Sequence, residues 1–274
     1  MKKPYVYAAI LLMAAPFCIS AQVDNQLMQL KSEQSVFGTA DLDQISRLMY
    51  TVPGIGRDPR DMLERQSIKP YMMPVRKIGP RGSELSYILA SCLEYYVNLN
   101  QNYKDNLSPD FLSLNLEGAG KRLTPQEAFR FLADQGTVSA SIMPFGSTTI
   151  PNAVYATKKY QIANYLHVVR DVMKGRQKVF EVRKAIIRGN PVVVELLADG
   201  SIRSLIRQDT WKPPSQPTEL FPLMVVGYDE TRQAFEVMGC WGSTWGDSGY
   251  LWIRYDDFEK YAQDGYVMVP QVTY

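Results

Sequence analysis

The chain has 274 residues, of which 46% are hydrophobic and 21% are charged. This balance is typical of globular proteins and excludes the disordered, collagenous and coiled-coil classes, and the length allows one large domain or two small ones. The formal net charge is +2, and it falls to zero without residues 1–21, which contain two lysines and no acidic residue. The charge therefore indicates no attraction to nucleic acid or anionic lipid.

Residues 1–21 have the pattern of a secretory signal peptide. Lys2 and Lys3 give a positive start, an apolar run ends at Cys18, and Ala21 is a small residue at a cleavage position. The run is shorter than the roughly 20 residues that a membrane-spanning helix needs, which disfavours an uncleaved anchor. Attachment of a lipid anchor to Cys18 stays open as an alternative. We predict a secreted, periplasmic or cell-envelope protein with no transmembrane segment.

The few cysteines and the single histidine limit the chemistry of the mature chain. Cys92 and Cys240 remain after the signal peptide, and His167 is the only histidine. One disulfide between the two cysteines stays open, but two buried thiols are the simpler interpretation. This set is too small for a tetrahedral zinc site, so we predict no metal and no cofactor.

Helices are predicted mainly in the first half of the chain. Residues 22–61 are polar and interrupted by glycine and proline, which predicts an N-terminal arm before a domain at 62–274. Three helices are expected to begin after capping hydroxyl residues, at Ser83, Ser108 and Thr124.

Strands are predicted mainly in the second half, where a fourth helix at Val179–Arg188 precedes them. They are expected at Val192–Leu197, Leu223–Tyr228, Ala234–Met238, Tyr250–Tyr255 and Tyr266–Val269. This distribution predicts an α+β protein with a helical N-terminal lobe and a sheet-rich C-terminal lobe.

Four motifs in one order carry a family resemblance. The stretch W-G-S-T-W-G-D-S-G-Y is similar to N-S-W-G-x-x-W-G-x-x-G-Y of the papain-like cysteine peptidases. Its expected packing residues are Trp241, Trp245, Gly246, Gly249 and Tyr250. V-V-G-Y, L-S-P-D-F-L and P-V-R-K-I-G-P-R-G-S-E resemble three further motifs of that family. The chain thus resembles a bacterial-type member of the family from about residue 62 to 270, which implies the two-lobed papain-like fold with an antiparallel sheet.

The resemblance also implies where the family's reactive groups would lie. That family uses a cysteine nucleophile, a histidine base, an asparagine that orients the histidine and a glutamine in the oxyanion hole. Glu84 stands at the cysteine position, Phe221 at the histidine, Gly239 at the asparagine and Ile78 at the glutamine. We therefore predict a catalytically degenerate member with no catalytic residue of its own.

The other thiols and the histidine do not restore the missing set. Glu84 has the family's spacing to the helix start at Ser108, whereas Cys92 lies too close to it along the chain. Cys92 is therefore interpreted as a core residue. Cys240 is interpreted in the same way, because side chains alternate along a strand and its side chain should point away from that of position 239. His167 lies before the strand that would carry a base, so we expect it to be a surface or core residue.

Glu84 itself allows two interpretations. It is either a first-turn acid that the helix dipole stabilises, which we favour, or a fixed negative charge in a peptide groove that selects a basic ligand.

Three functions remain open from the sequence. The first is a secreted pseudopeptidase that binds a peptide or protein in the groove between the lobes, with Phe221 as an apolar wall. The second is a hydrolase in which Glu84 acts as general base. The third is a structural subunit of an envelope complex whose groove is filled. An open groove would favour the first over the third.

Overall fold

The structure is a computed structural model that describes residues 36–55, 59–116 and 123–271. The predicted signal peptide, Cys18 and the first part of the predicted arm lie outside the described residues. From Phe37 onward the chain forms one compact unit.

Helices dominate the first half of this unit, as predicted. The described α-helices are α1 Leu42–Leu48, α2 Pro59–Glu64, α3 Glu84–Gln101, α4 Pro109–Leu116, α5 Pro125–Asp134, α6 Gly175–Ile187 and α7 Tyr255–Tyr261. The Ser83 hydroxyl accepts a hydrogen bond from the Ser86 amide and caps α3, and Thr124 forms a capping box with Glu127 at α5. Both helix starts are therefore confirmed.

A seven-stranded antiparallel sheet follows. Its strands are β1 Arg65–Ser67, β2 Ile162–Val169, β3 Val192–Ala198, β4 Glu219–Asp229, β5 Ala234–Met238, β6 Tyr250–Arg254 and β7 Ala262–Pro270. Six of them run in the order β2-β7-β3-β4-β5-β6, and β1 pairs with β4. The predicted α+β class is thus confirmed.

Several boundaries differ from the prediction for local reasons. The sequence predicted that Tyr255 ends the strand that begins at Tyr250. Instead Tyr255 begins α7, because the extended backbone of Arg254 ends β6 and its Nε donates to Oδ2 of Asp257 at 3.0 Å. Helix α6 begins at Gly175, four residues earlier than expected. The start was missed because the residue before it, Lys174, forms no side-chain capping hydrogen bond and so gives no capping signal in the sequence.

The sheet separates two hydrophobic clusters. One contains the buried side of α6 and α7 together with Trp245. The other packs α3 against the opposite face and includes Cys92 and Cys240. From the predicted arm, Ile45 of α1 is completely buried in the first cluster. The described part of that arm is therefore packed on the domain.

Candidate functional site

The start of α3 meets the Trp241 segment in the structure. Glu84 is the first residue of α3, after its cap at Ser83. Just before the helix, the backbone N–H of Ile78 donates to the carbonyl of Cys240 at 3.1 Å, and an antiparallel bridge forms at Trp241. Ile78, Glu84 and Trp241, which are distant in sequence, are thus neighbours.

Glu84 has an ion-pair partner that sequence analysis missed. Arg203 lies in the 3-10 turn Gly200–Ser204, and its Nε is 2.7 Å from Oε1 of Glu84, while Nη2 is 3.5 Å from Oε2. The indole Nε1 of Trp241 donates to the same Oε1 at 3.1 Å. The hydrogen bond to Glu84 raises the pKa of Arg203 above its ordinary value. Glu84 is therefore more than a first-turn helix acid, since a cation and an indole both bind it.

Arg203 also overturns the prediction that Phe221 forms an open apolar wall. The Phe221 side chain is completely buried in the first hydrophobic cluster. The guanidinium carbon of Arg203 lies 4.5 Å from its ring centroid, and the Trp241 ring flanks it at 6.4 Å. Its neighbours Leu220 and Pro222 line the groove instead. The prediction failed because it placed Phe221 by alignment alone, without a covering side chain.

Gly239 lies where no side chain fits. A Cβ at this position would be 2.8 Å from the ring of Trp245 and 2.9 Å from the ring of Trp241. The two indoles are packed with ring centroids 4.9 Å apart. Since a contact under 3.0 Å forces neighbouring atoms to move, the two indole rings occupy the space that a side chain at Gly239 would need.

Gly239→Ala is therefore expected to lower the free energy of unfolding by about 1–3 kcal/mol, the usual cost of overpacking a core. Urea unfolding measures the loss. Gly200→Ala is the matched control, because its Cβ would meet its nearest neighbour at 3.7 Å; it should change stability by less than about 0.5 kcal/mol. Equal effects of the two substitutions would contradict the packing described at Gly239.

The rest of the tryptophan motif forms a tight turn into β6. Gly246 has a positive φ of 56°, and a Cβ there would be 2.0 Å from the Tyr250 carbonyl oxygen. The amide of Asp247 donates to that same oxygen at 2.7 Å, and the amide of Gly239 donates to the carbonyl of Gly249 at 3.1 Å. The motif thus joins the ends of β5 and β6 beside Glu84.

A cavity of about 350 Å³ opens beside Glu84, and we call it the groove cavity. Residues of α3 form one wall, residues of β3 and β4 form the other, and the lining includes Leu116 and Leu123. Glu84, Glu195 and Glu219 belong to its lining, and among the described residues Arg203 is the cation that lines it. Arg203 Nη2 lies 3.5 Å from Glu219 Oε2, so it contacts two of the three acids.

The thiols and the histidine lie in other environments. Cys92 and Cys240 are free and buried, which confirms the buried-thiol interpretation over a disulfide. Burial raises the pKa of both thiols, so they stay neutral at ordinary pH. His167 on β2 has its Nε2 2.7 Å from Oδ1 of Asp264 and stacks on Tyr266 at 4.7 Å.

Two searches of the described residues bear on other kinds of site. Between residues 36 and 271, gaps excepted, His, Cys, Asp and Glu side chains form no group of three or more that is placed to hold a metal. Within the same ranges, none of the helices has both the length and the hydrophobicity that crossing a bilayer demands.

Comparison with known families decides the relationship. The model of the papain family cysteine proteases matches residues 116–270, which is more than half of the chain. The chain belongs to the papain family. The matched region includes Phe221, Gly239 and the tryptophan motif, whereas Ile78 and Glu84 precede it.

Solved structures of papain-family proteins show the same fold. Xylellain, a cysteine protease from Xylella fastidiosa, matches with a TM-score of 0.61 and 19% identity, over 86% of this chain and 96% of that one. Procathepsin L 3 of Tenebrio molitor larval midgut matches with a TM-score of 0.62 and 17% identity, over 91% and 88%. The predicted papain-like fold is confirmed by these likenesses.

One curated relative is similar in sequence. Gamete and mating-type specific protein A of Dictyostelium discoideum is 22% identical over 205 residues. The match covers 72% of this chain and 44% of that protein. The chain therefore spans less than half of the length of this relative.

Proposed function

We propose that this papain-family chain binds peptides in its interlobe groove without cleaving them. The observation that carries the proposal is the ion pair between Glu84 and Arg203, with Trp241 bound to the same carboxylate. It occupies the start of α3, where the family resemblance places a nucleophile. The proposed degenerate positions are Ile78, Glu84, Phe221 and Gly239.

Thiol chemistry has no support from the groups that the chain contains. A thiol peptidase needs its nucleophile and base together, since the two act as a unit. Both thiols of the described residues are buried in the cluster around α3. His167, the only histidine of the chain, binds Asp264 on the sheet. A side chain at Gly239 that could orient a base would collide with two indoles.

The two alternative functions have less support. For a hydrolase that uses Glu84 as general base, the carboxylate would have to contact the substrate. Its Oε1 already accepts from Arg203 and Trp241, and the second guanidinium nitrogen faces Oε2. For a structural subunit with a filled groove, the cavity of about 350 Å³ in the described residues is unfavourable. Neither alternative explains the acidic lining.

The lining indicates which peptides would bind. The described lining of the groove cavity contains three glutamates and one arginine, and Leu220 and Pro222 add apolar surface. Complementary charge steers partners and excludes those of like charge. We infer that an extended peptide with a lysine or arginine side chain is the ligand. Arg203 then competes with it, because its guanidinium already contacts Glu84 and Glu219.

The proposed location is outside the cytoplasm, in the secreted or envelope fraction. The support for it is the signal-peptide pattern of residues 1–21.

The test combines a turnover assay with a binding assay. We expect no cleavage of peptide substrates and no labelling by the inhibitor E-64. This inhibitor is present in the structure of the Carica candamarcensis cysteine protease CMS1MS2. That structure matches with a TM-score of 0.61 and 20% identity, over 76% of this chain and 99% of that one. A fluorescein-labelled alanine peptide with one central arginine should bind, as measured by fluorescence anisotropy. Arg203→Ala should tighten this binding about tenfold, or ~1.4 kcal/mol, and Glu219→Gln should weaken it.

Controls separate the three functions. A peptide with norleucine in place of arginine should bind more weakly, and Glu64→Gln, an exposed glutamate outside the lining, should leave affinity unchanged. Turnover that Glu84→Gln abolishes would support the hydrolase. Failure of the arginine peptide to bind, with wild type and Arg203→Ala alike, would support a structural subunit.

A further inference from the structure

A second cavity of about 420 Å³ lies at the other end of α3. Leu93, Tyr96 and Val97 of α3 line it, together with the segments 50–53 and 158–161. Val97 is thirteen residues beyond Glu84 on one continuous helix, a rise of about 20 Å. The second cavity is therefore separate from the groove cavity, and the groove's proposed function makes no use of it.

Part of its lining is apolar. The side chains of Tyr50, Val97 and Leu99 line it and are partly exposed. The hydroxyl of Tyr96 donates to Oδ1 of Asn190 at 2.9 Å, so its polar end already has a partner inside the protein. Ligand sites are typically concave and apolar, with volumes of roughly 300–1,000 Å³. The second cavity has the size and the lining of a site for a small organic molecule.

The rim has one sign of charge. Its polar lining consists of Lys158, Lys159 and side-chain amides such as Gln101 and Gln161, and no acidic residue belongs to it. Lys158 is exposed, and its ammonium lies 5.1 Å from the centroid of the Tyr160 ring. Within the described ranges, neither lysine has an ion pair with a carboxylate. Among the described residues, the rim thus offers positive charge at Lys158 and no acidic side chain.

The ammonium of the neighbouring Lys159 contacts residues that do not line the second cavity. Its ammonium donates to the backbone carbonyl of Val154 and lies 5.0 Å from the centroid of the Phe111 ring. Burial lowers the pKa of Lys159 below its ordinary value. Lys158 is therefore the lysine that can pair with an anion at the rim.

We propose that the second cavity binds a small amphipathic anion, in which an aromatic ring system or short alkyl chain carries one carboxylate or sulfonate. The apolar part lies against Tyr50, Val97 and Leu99, and the acid group lies at the rim beside Lys158. This arrangement buries the apolar surface and pairs the acid with the rim cation.

Two fluorescent probes with the same ring system test the proposal on the full chain. Anilinonaphthalene sulfonate carries the acid group, and N-phenylnaphthylamine lacks it. We expect saturable, one-site binding of the sulfonate probe. Lys158→Glu should weaken it about tenfold by reversing the rim charge, while affinity for the neutral probe stays within about twofold. Val97→Trp should abolish binding of both probes by filling the cavity.

Lys212→Glu is the matched control, because Lys212 is exposed and lies outside the cavity lining. It should leave both affinities unchanged, and a melting temperature for each variant verifies that the fold is intact. The proposal is overturned if the sulfonate probe does not bind the wild type at one site. It is equally overturned if Lys158→Glu and Val97→Trp, both folded, bind that probe as the wild type does.

Discussion

Trp245→Ala is expected to lower the free energy of unfolding by about 3–5 kcal/mol, the usual cost of truncating a buried tryptophan. Trp245 is only 2% exposed. Its indole N–H donates to the carbonyl of Ile202 at 2.6 Å, and its ring packs against Trp241 and the backbone of Gly239. The substitution would leave both a cavity and an unpaired carbonyl.

Urea unfolding followed by circular dichroism measures this loss. Trp252→Ala is the matched control, because Trp252 is only partly buried on β6 and should lose less stability. An unchanged melting temperature in Trp245→Ala would mean that the tryptophan motif does not anchor the last strands.

Arg76→Met is expected to cost a comparable ~3–5 kcal/mol, because it removes one partner of a buried ion pair. Arg76 Nη2 donates to Oε2 of Glu94, whose side chain is 1% exposed. Arg76 also donates to the Leu107 carbonyl at 3.4 Å, and its own carbonyl accepts from Gly242 at 3.1 Å. The pair therefore fixes the segment that runs beside Trp241 into α3.

The loss in Arg76→Met should depend on pH with a definite sign. Burial raises the pKa of Glu94, while Arg76 and the Leu107 amide oppose that rise. Without Arg76 the folded-state pKa rises further, so folding takes up a proton and stability increases as the pH falls through the raised value. The difference between Arg76→Met and wild type should thus be smaller at about pH 5 than at about pH 7.

The control for this prediction is the double variant Arg76→Met with Glu94→Gln. It removes the uncompensated charge and should recover part of the stability. A loss in Arg76→Met that is the same at both pH values would contradict the role assigned to Glu94.

Sequence predicted the parts of the fold that depend on local chemistry. Capping hydroxyls at Ser83 and Thr124 predicted the starts of α3 and α5, because a helix start needs an acceptor for its first amides. The tryptophan motif predicted residues that pack with the last strands. The family resemblance also implied that Glu84 and Trp241 lie at the same site, although it did not predict the hydrogen bond between them.

The parts that sequence did not predict depend on contacts between distant segments. Arg203 belongs to no motif, and only the folded chain places it over Phe221 and against Glu84. The strand β2 was missed because its paired partner β7 lies nearly a hundred residues later. No local pattern distinguishes an arginine that will cover a ring from any other surface arginine.

The packing around Gly239 has a consequence for how this protein can change. A larger residue at Gly239 requires a smaller residue in place of Trp241 or Trp245, and a neutral residue at Glu84 leaves Arg203 with one acid fewer. Each substitution alone therefore loses stability unless a second one accompanies it. Under the proposed non-catalytic function, laboratory evolution of a catalytic centre here would need libraries that vary these positions together.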